Sequence, residues 1–584
     1  MISSQIEKER KRSMSNMSDL WGDTASKTKI AAEKAEFFKK SRYALFIHWG
    51  LYAVAGSCWK GKNHYGISEW LMRRLSIPAE EYALLAKEFD PEDFCAEKIV
   101  DFAKKCGMKY IIITAKHHDG FAMFDSFHPF SITKSTPWKR DPMKELAQAC
   151  EKAGLGFGFY YSQFQDWSEI NTWEPERKQP TFEEYFNNKC LPQIRELLTN
   201  YGKLSLIWFD TPGQMTKEQS QRIVDLVQEL QSEALVNSRI GNGVGDYSTL
   251  GDNEFPGKRP QGLWECIATS NDSWGYSSND KNFRSGSELL SQLITVAARG
   301  GNYMVNIGPD AKGNIPPICE EALLRAGKWI RKYGDIMLYD SDSSPWASAR
   351  NWGDCTRKGS KAYFMIKPAA WGKVLIETGF PVKIREVKWL GGDKLLEFEQ
   401  DETFIKIQLP VERKDEYFEV LEISCDENIP EARLEENIVS GSLPVKLPAY
   451  SAKVCNVEIK RHFWAERFGE WIYDVHLTHW QKDAEAVWDL NILENGYYQV
   501  LVRYQNPDKN NRVWVFENNS GKMEMWARDV RSIPGEYSDP LGRYQTFPAG
   551  VMQFEKGRNF LSVHPAESGE TEMEVTEIIL VPFV

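Results

Sequence analysis

From about residue 30 to about residue 340 the chain alternates between two hydrophobic patterns. Short, nearly continuous apolar runs read as strands buried on both faces: "ALFIHWG" (44–50), "KYIIITA" (109–115), "LGFGFYYS" (155–162), "LSLIWFD" (204–210), "ALVNSRI" (234–240), "LWECIAT" (263–269) and "NYMVNIG" (302–308). Between them lie segments of helical period: "PAEEYALLAKEF", "PEDFCAEKIVDFAKKCG", "DPMKELAQACEKAG", "FEEYFNNKCLPQIRELLTN", "TKEQSQRIVDLVQEL", "GSELLSQLITVAARG" and "ICEEALLRAGKWIRKYG". Pro91 opens the second helix and Gly107 closes it; Asp141 caps the third, with Pro142 at its first position and Gly154 at its stop. Alternation of this length predicts an α/β fold with parallel strands, and about 300 residues favours a closed (β/α)8-like, TIM-type barrel over an open sheet. No G-x-G-x-x-G follows the first strand, so a dinucleotide fold has no support. Seven strands are clear and one is ill-defined, which predicts an irregular barrel.

After about residue 343 the helical period stops and short strands follow, among them "KAYFMIKP", "REVKWLGG", "FIKIQLP" and "YFEVLEIS". These predict C-terminal β-sandwich domains. The expected organisation is a polar lead-in (1–28), the barrel (29–342), a β-sandwich (343–432) and a second β-rich domain (433–584). A net charge of −11 argues against nucleic acid as the main partner. No apolar run reaches the roughly 18–20 residues of a membrane span. The N-terminus has no apolar h-region, so the expectation is a cytoplasmic protein, or a periplasmic or secreted one if a leader is removed. The ten cysteines are scattered without a CxxC, which predicts free thiols and no zinc cluster.

In such barrels the active site lies at the C-terminal ends of the strands, so the residues ending each strand matter most. These are His48, then His117, His118 and Asp119, then Tyr160, Tyr161 and Ser162, then Asp210, then Asn237 and Arg239; Asp252 and Glu254 sit in "GDNEFPG", followed by Glu265 in a strand and Trp274 in "NDSWGY". A carboxylate ending a two-sided apolar strand, as Asp210 does, is costly without a partner or a task. Two carboxylates with aromatic platforms and His, Arg and Tyr side chains suit glycoside hydrolysis. A metal hydrolase using His48, His117, His118 and Asp210 is the competing reading, although no His-E-x-x-H occurs.

The stretches "RYALFIHWGLYAV", "FAKKCGMKYIIITAKHHDGFAMFDS", "LIWFDTPG", "VNSRIG" and "GGNYMVNIGPDAKGNI", in this order over about residues 40–340, together resemble the α-L-fucosidases of glycoside hydrolase family 29. The resemblance implies a retaining hydrolase that releases α-linked L-fucose from fucosylated oligosaccharides or glycoconjugates through a fucosyl-enzyme ester, without a cofactor or metal. It implies Asp210 as an ionised nucleophile and His48, Glu69, Trp70, His117, His118, Tyr161, Trp208, Arg239 and Trp274 as the sugar pocket, with Trp274 against the C6 methyl. For the acid/base, Glu254 is the first choice and Glu265 the alternative. An inactive fucose-binding relative stays open, as do linkage preference and oligomeric state. The last domain resembles a carbohydrate-binding module, with Trp480, Trp488, Trp514 and Trp526 either as platforms or as core.

Overall fold

The computed structural model describes residues 25–583 except 373, 402–403, 433–436, 440–443, 466–470, 507–511, 529–543 and 568. The expected lead-in therefore lies largely outside the described residues. Two compact units divide near residue 343: the first holds residues up to Pro256 and Pro260–Ser343, the second Gly257–Arg259, Ser344–Glu466 and Trp471–Val584.

The first unit is built on eight parallel strands: β1 (Tyr43–Ile47), β2 (Tyr110–Lys116), β3 (Gly156–Ser162), β4 (Leu206–Asp210), β5 (Leu235–Val236), β6 (Ser248–Thr249), β7 (Trp264–Thr269) and β8 (Asn302–Ile307). Their order is β5-β4-β3-β2-β1-β8-β7-β6, and a parallel bridge from Asn237 to Tyr247 joins the two ends into a ring. Side chains alternate along each strand, so one set fills the ring and the other meets the helices. Ala44, Phe46, Tyr110, Ile112, Tyr160, Leu206, Trp208 and Met304 form the interior core. The same period carries the inner face to His48 after β1, Ser162 on β3, Asp210 on β4 and Asn306 on β8.

Two strands depart from the expectation. "ALVNSRI" is extended only over Leu235–Val236, and Ser238–Ile240 turns into a 3-10 helix. The Asn237 side chain continues the ladder in place of backbone, donating to the Phe209 carbonyl and accepting from the Phe209 N–H, both at 2.9 Å. The ill-defined strand is the two-residue β6, too short to show a period, and only the 3-10 turn Ser238–Ile240, not an α-helix, separates it from β5.

Helix signals hold where a side chain caps. Asp141 accepts from the Lys144 N–H ahead of Pro142–Ala153, and Gly154 ends that helix at φ +70°. Thr216 with Gln219 forms a reciprocal capping box on Lys217–Leu230, whose Ser220, Ile223, Leu226 and Val227 are its buried face. The helix expected to open at Pro91 begins only at Ala96, and "PAEEYALLAKEF" is a short helix followed by a 3-10 turn.

In the second unit a five-stranded sheet and a three-stranded sheet enclose a core containing Trp346, Phe364, Leu375, Ile405 and Leu421. A further pair of six-stranded sheets encloses another. Three of the four tryptophans considered as glycan platforms lie inside that last core: Trp480, Trp488 and Trp514 are at most 1% exposed. Trp480 donates to the Met573 carbonyl and Trp488 to the Pro448 carbonyl, and Trp480 and Trp514 pack edge to face. They fill a core and present no platform; Trp526 alone is exposed. All ten cysteines are free.

Candidate active site

The inward residues at the strand ends converge on Asp210. Tyr160 donates its hydroxyl to Oδ2 at 2.9 Å, while Arg239 Nη1 (3.1 Å) and the Thr211 N–H (2.9 Å) donate to Oδ1. Gln163 holds the backbone by accepting from the Asp210 N–H and donating to the Arg239 carbonyl. Thr211 follows with φ +43°, a conformation uncommon outside glycine, which turns the chain sharply after the carboxylate. Burial pushes the Asp210 carboxyl above its ordinary value, and the charge of Asp252 adds to this; Arg239 and Tyr160 pull the other way.

The histidine tautomers follow from their partners. The Asn306 amide donates to the Trp274 carbonyl at 2.7 Å, so its Oδ1 accepts the His48 Nδ1–H at 2.6 Å. Ser162 donates to the Gln165 carbonyl at 2.9 Å, so its Oγ accepts the His118 Nδ1–H at 2.7 Å. Burial holds both rings neutral, lowering His48 to about 3 and His118 well below its ordinary value. Each Nε2 therefore presents a lone pair, and that of His118 lies 3.8 Å from Asp210 Oδ2. His117 stacks on Tyr160 with ring centres 5.1 Å apart and planes within 5°. Its buried Nδ1 has no partner among the described residues.

Aromatic rings complete the walls. Trp208 lies nearly parallel to Tyr160, with the Arg239 guanidinium 5.0 Å above its ring. Trp274 packs 5.2 Å from His48. Trp70 stands edge-on to His118 and Trp167, both at 5.4 Å. Glu69 is fully buried and takes the Gly275 N–H at 2.9 Å on one oxygen, while the other has no partner among the described residues. Burial pushes its carboxyl up to about 7. Gly275 and Gly308 have no room for a side chain: a Cβ would come within 2.6 Å of the Tyr52 ring and of the Gly275–Tyr276 backbone, respectively. This close approach fixes the Trp274 loop against β8.

Two expected roles change with this geometry. Tyr161 lies on the outer face of β3, where its hydroxyl donates to Gln193 at 2.8 Å and Lys116 sits over its ring. Its neighbour Tyr160 faces the cavity; one position along a strand reverses the face. Glu265 is wholly buried beneath Trp208, accepting from Trp208 Nε1 (2.6 Å) and Thr249 Oγ1 (2.8 Å) on one oxygen. It braces the floor of the site and cannot reach a leaving group.

The loop after β6 carries the remaining carboxylates. Glu254 folds back and takes the Gly251 N–H at 2.6 Å, and Cys266 donates to its carbonyl. Asp252 instead meets the site: Arg239 Nη2 donates to it at 2.6 Å and to the Leu250 carbonyl at 2.9 Å. One guanidinium thus bridges Asp210 and Asp252. Asn253 anchors the turn between the two acids by accepting from the Thr269 N–H at 2.9 Å. Tyr160 and Ser162 are strand-end residues that the expected sugar pocket leaves out, and Asn306 is absent from both sets, although the i, i+2 spacing of Ser162 from Tyr160 and of Asn306 from Met304 marks an inward face. For Asp252 over Glu254 a loop sequence has no such signal.

Among the described residues no group of three or more His, Cys, Asp or Glu side chains is placed to hold a metal ion.

Comparisons with known proteins place the chain among its relatives. Residues 13–335 match the family model described as Alpha-L-fucosidase. The tissue alpha-L-fucosidase of Rattus norvegicus is 29% identical over 335 residues, covering 53% of this chain and 70% of the relative. That of Macaca fascicularis is 30% identical over 332 residues, covering 53% and 69%. Among solved structures, the alpha-L-fucosidase from Vibrio sp. strain EJY3 superposes with a TM-score of 0.77 at 28% identity, covering 95% of this chain and 98% of its own. A bacterial fucosidase with a monovalent iminocyclitol inhibitor gives 0.62 at 25% identity, covering 70% and 99%. With the family model spanning more than half of the sequence, the chain belongs to the alpha-L-fucosidase family, glycoside hydrolase family 29.

Proposed function

We propose that this fucosidase releases terminal α-linked L-fucose by double displacement, with Asp210 as nucleophile and Asp252 as acid/base. The observation that carries the assignment is the Arg239 bridge, which holds Asp210 on Nη1 at 3.1 Å and Asp252 on Nη2 at 2.6 Å. A retaining site needs its two carboxyl groups close together across the scissile bond. Glu254 is tied to its own loop by the Gly251 N–H, and Glu265 lies under the floor.

In the first step Asp210 attacks the anomeric carbon while the carboxylic acid of Asp252 protonates the departing oxygen. Ester formation removes the charge on Asp210 and leaves Arg239 to Asp252 alone, which then takes a proton from the incoming water. The lone pairs of His48 and His118 accept sugar hydroxyls, and Trp274 offers an apolar wall to the C6 methyl.

Asp252→Ala, Glu254→Ala and Glu265→Ala compared with and without azide test the assignment. Asp252→Ala should lose activity on poor leaving groups, keep far more on activated aryl fucosides, and recover with azide as a fucosyl azide of retained configuration. Azide rescue of Glu254→Ala, with none for Asp252→Ala, would return the role to Glu254.

A further inference from the structure

We propose that Arg73 makes a leaving-group subsite for a glycan whose penultimate sugar carries an anionic substituent, a sulfate or a carboxylate. The proposal rests on the fucosidase reading and adds what lies beyond the cleaved bond. Acidic residues outnumber basic ones in this protein, 83 to 72, so a surface cation readily finds an acid. Arg73 has no carboxylate partner among the described residues. Its guanidinium lies 5.2 Å over the Trp70 ring, and Nη1 donates to Gln165 Oε1 at 3.3 Å. The residue is exposed, and its remaining N–H groups have no protein acceptor among the described residues. Its neighbour Arg74 is occupied differently, packed over Gly66.

The position is set by a short chain of contacts leading to the nucleophile. Gln165 takes Trp167 Nε1 at 3.1 Å on the same oxygen and donates to Thr211 Oγ1 at 2.9 Å; the Thr211 N–H in turn donates to Asp210. Trp70 is edge-on to His118, and the charge of Arg73 is felt at that ring. Arg73 therefore stands at the mouth, one side chain beyond the residue that follows Asp210. A guanidinium stacked on an indole loses little freedom on binding and offers a planar fork that matches sulfate and carboxylate oxygens. Nothing in the site below it calls for a further positive charge, since Arg239 already serves both catalytic carboxylates.

The test compares kcat/KM for a fucosylated disaccharide and for the same disaccharide sulfated on the leaving sugar. α-L-Fucosyl fluoride, which has no leaving sugar, reports the fucosidase activity by itself. The wild-type protein should favour the sulfated substrate roughly tenfold or more at low salt, as expected for a charge-assisted hydrogen bond, and less at high salt. Arg73→Ala should bring the ratio to about one, through KM, and Arg73→Lys should retain part of it. A ratio is insensitive to partial misfolding, because both substrates meet the same population of enzyme. A wild-type ratio near one, or an unchanged ratio in Arg73→Ala, would overturn the subsite while turnover of the fluoride left the fucosidase reading standing. No turnover of the fluoride would overturn both.

Discussion

Glu265→Gln separates a carboxylate that supports the barrel from one that does chemistry. Glu265 is fully buried, and one of its oxygens takes two hydrogen bonds, from Trp208 and Thr249. The other oxygen has no hydrogen-bond partner among the described residues and lies beside the Tyr247 hydroxyl. Burial raises the carboxyl from 4.5 to about 7. The folded protein therefore binds this proton more tightly than the unfolded chain. Stability from it is intact below about pH 4.5, falls as pH rises toward 7, and stays lost above. At about 1.4 kcal/mol per pH unit, ionising Glu265 costs ~3 kcal/mol by pH 8. Gln keeps the acceptor for Trp208 and Thr249, places an NH2 toward Tyr247, and does not titrate. In denaturant unfolding of the barrel unit, the stability of Glu265→Gln minus that of wild type should rise by ~2.5 kcal/mol between pH 5 and pH 8. The difference cancels other titrating groups such as Glu69. Turnover should stay within a few-fold of wild type and show no response to azide. A stability difference flat with pH would refute the burial argument, and loss of turnover restored by azide would make Glu265 the acid/base.

Neighbouring tyrosines give an internal contrast. Tyr160→Phe removes a donor to ionised Asp210, so the carboxyl rises further, the acid limb of kcat/KM moves to higher pH, and kcat falls about tenfold. Tyr161→Phe leaves both kinetic constants near wild type and costs about 1 kcal/mol of stability through Gln193. Asn306→Asp places a carboxylate against His48 Nδ1–H, which raises the imidazole from about 3 and favours its charged form. Arg239 opposes the shift, and Phe46, His117, Tyr160 and Trp274 are the other rings packed on His48. KM should then climb as pH falls, with kcat less affected, because Nε2 changes from acceptor to donor.

What the sequence revealed of this site depended on periodicity. Asp210 is two residues beyond Trp208 and four beyond Leu206, so the strand that buries those two also delivers the acid to the cavity. The same reasoning places His48 beyond Phe46. It fails where a pattern is absent or two residues long. Tyr160 and Tyr161 are chemically alike and adjacent, and only the observed register shows that Tyr160 shares a face with the core. Strand β6 has two residues, so nothing in "YSTL" marks it. That Asp252 rather than Glu254 meets Arg239 follows from an Asn253 turn at φ +55°, from Arg239 in the 3-10 turn after β5 and from Thr269 on β7, none of which a loop sequence marks. In the last sandwich, indoles suited to stacking on sugars are equally suited to filling a core, and burial decided for the core at Trp480, Trp488 and Trp514.

Asp210 is expected to become covalently attached to the sugar during turnover. Incubation with a 2-deoxy-2-fluoro-α-L-fucosyl fluoride, followed by proteolysis and mass spectrometry, reads this directly. The expected result is one fluorofucosyl group on the peptide containing "LIWFDTPG", localised to Asp210, and none in Asp210→Ala. A label on Asp252 or Glu254, or release of fucose of inverted configuration without a trapped ester, would contradict the account.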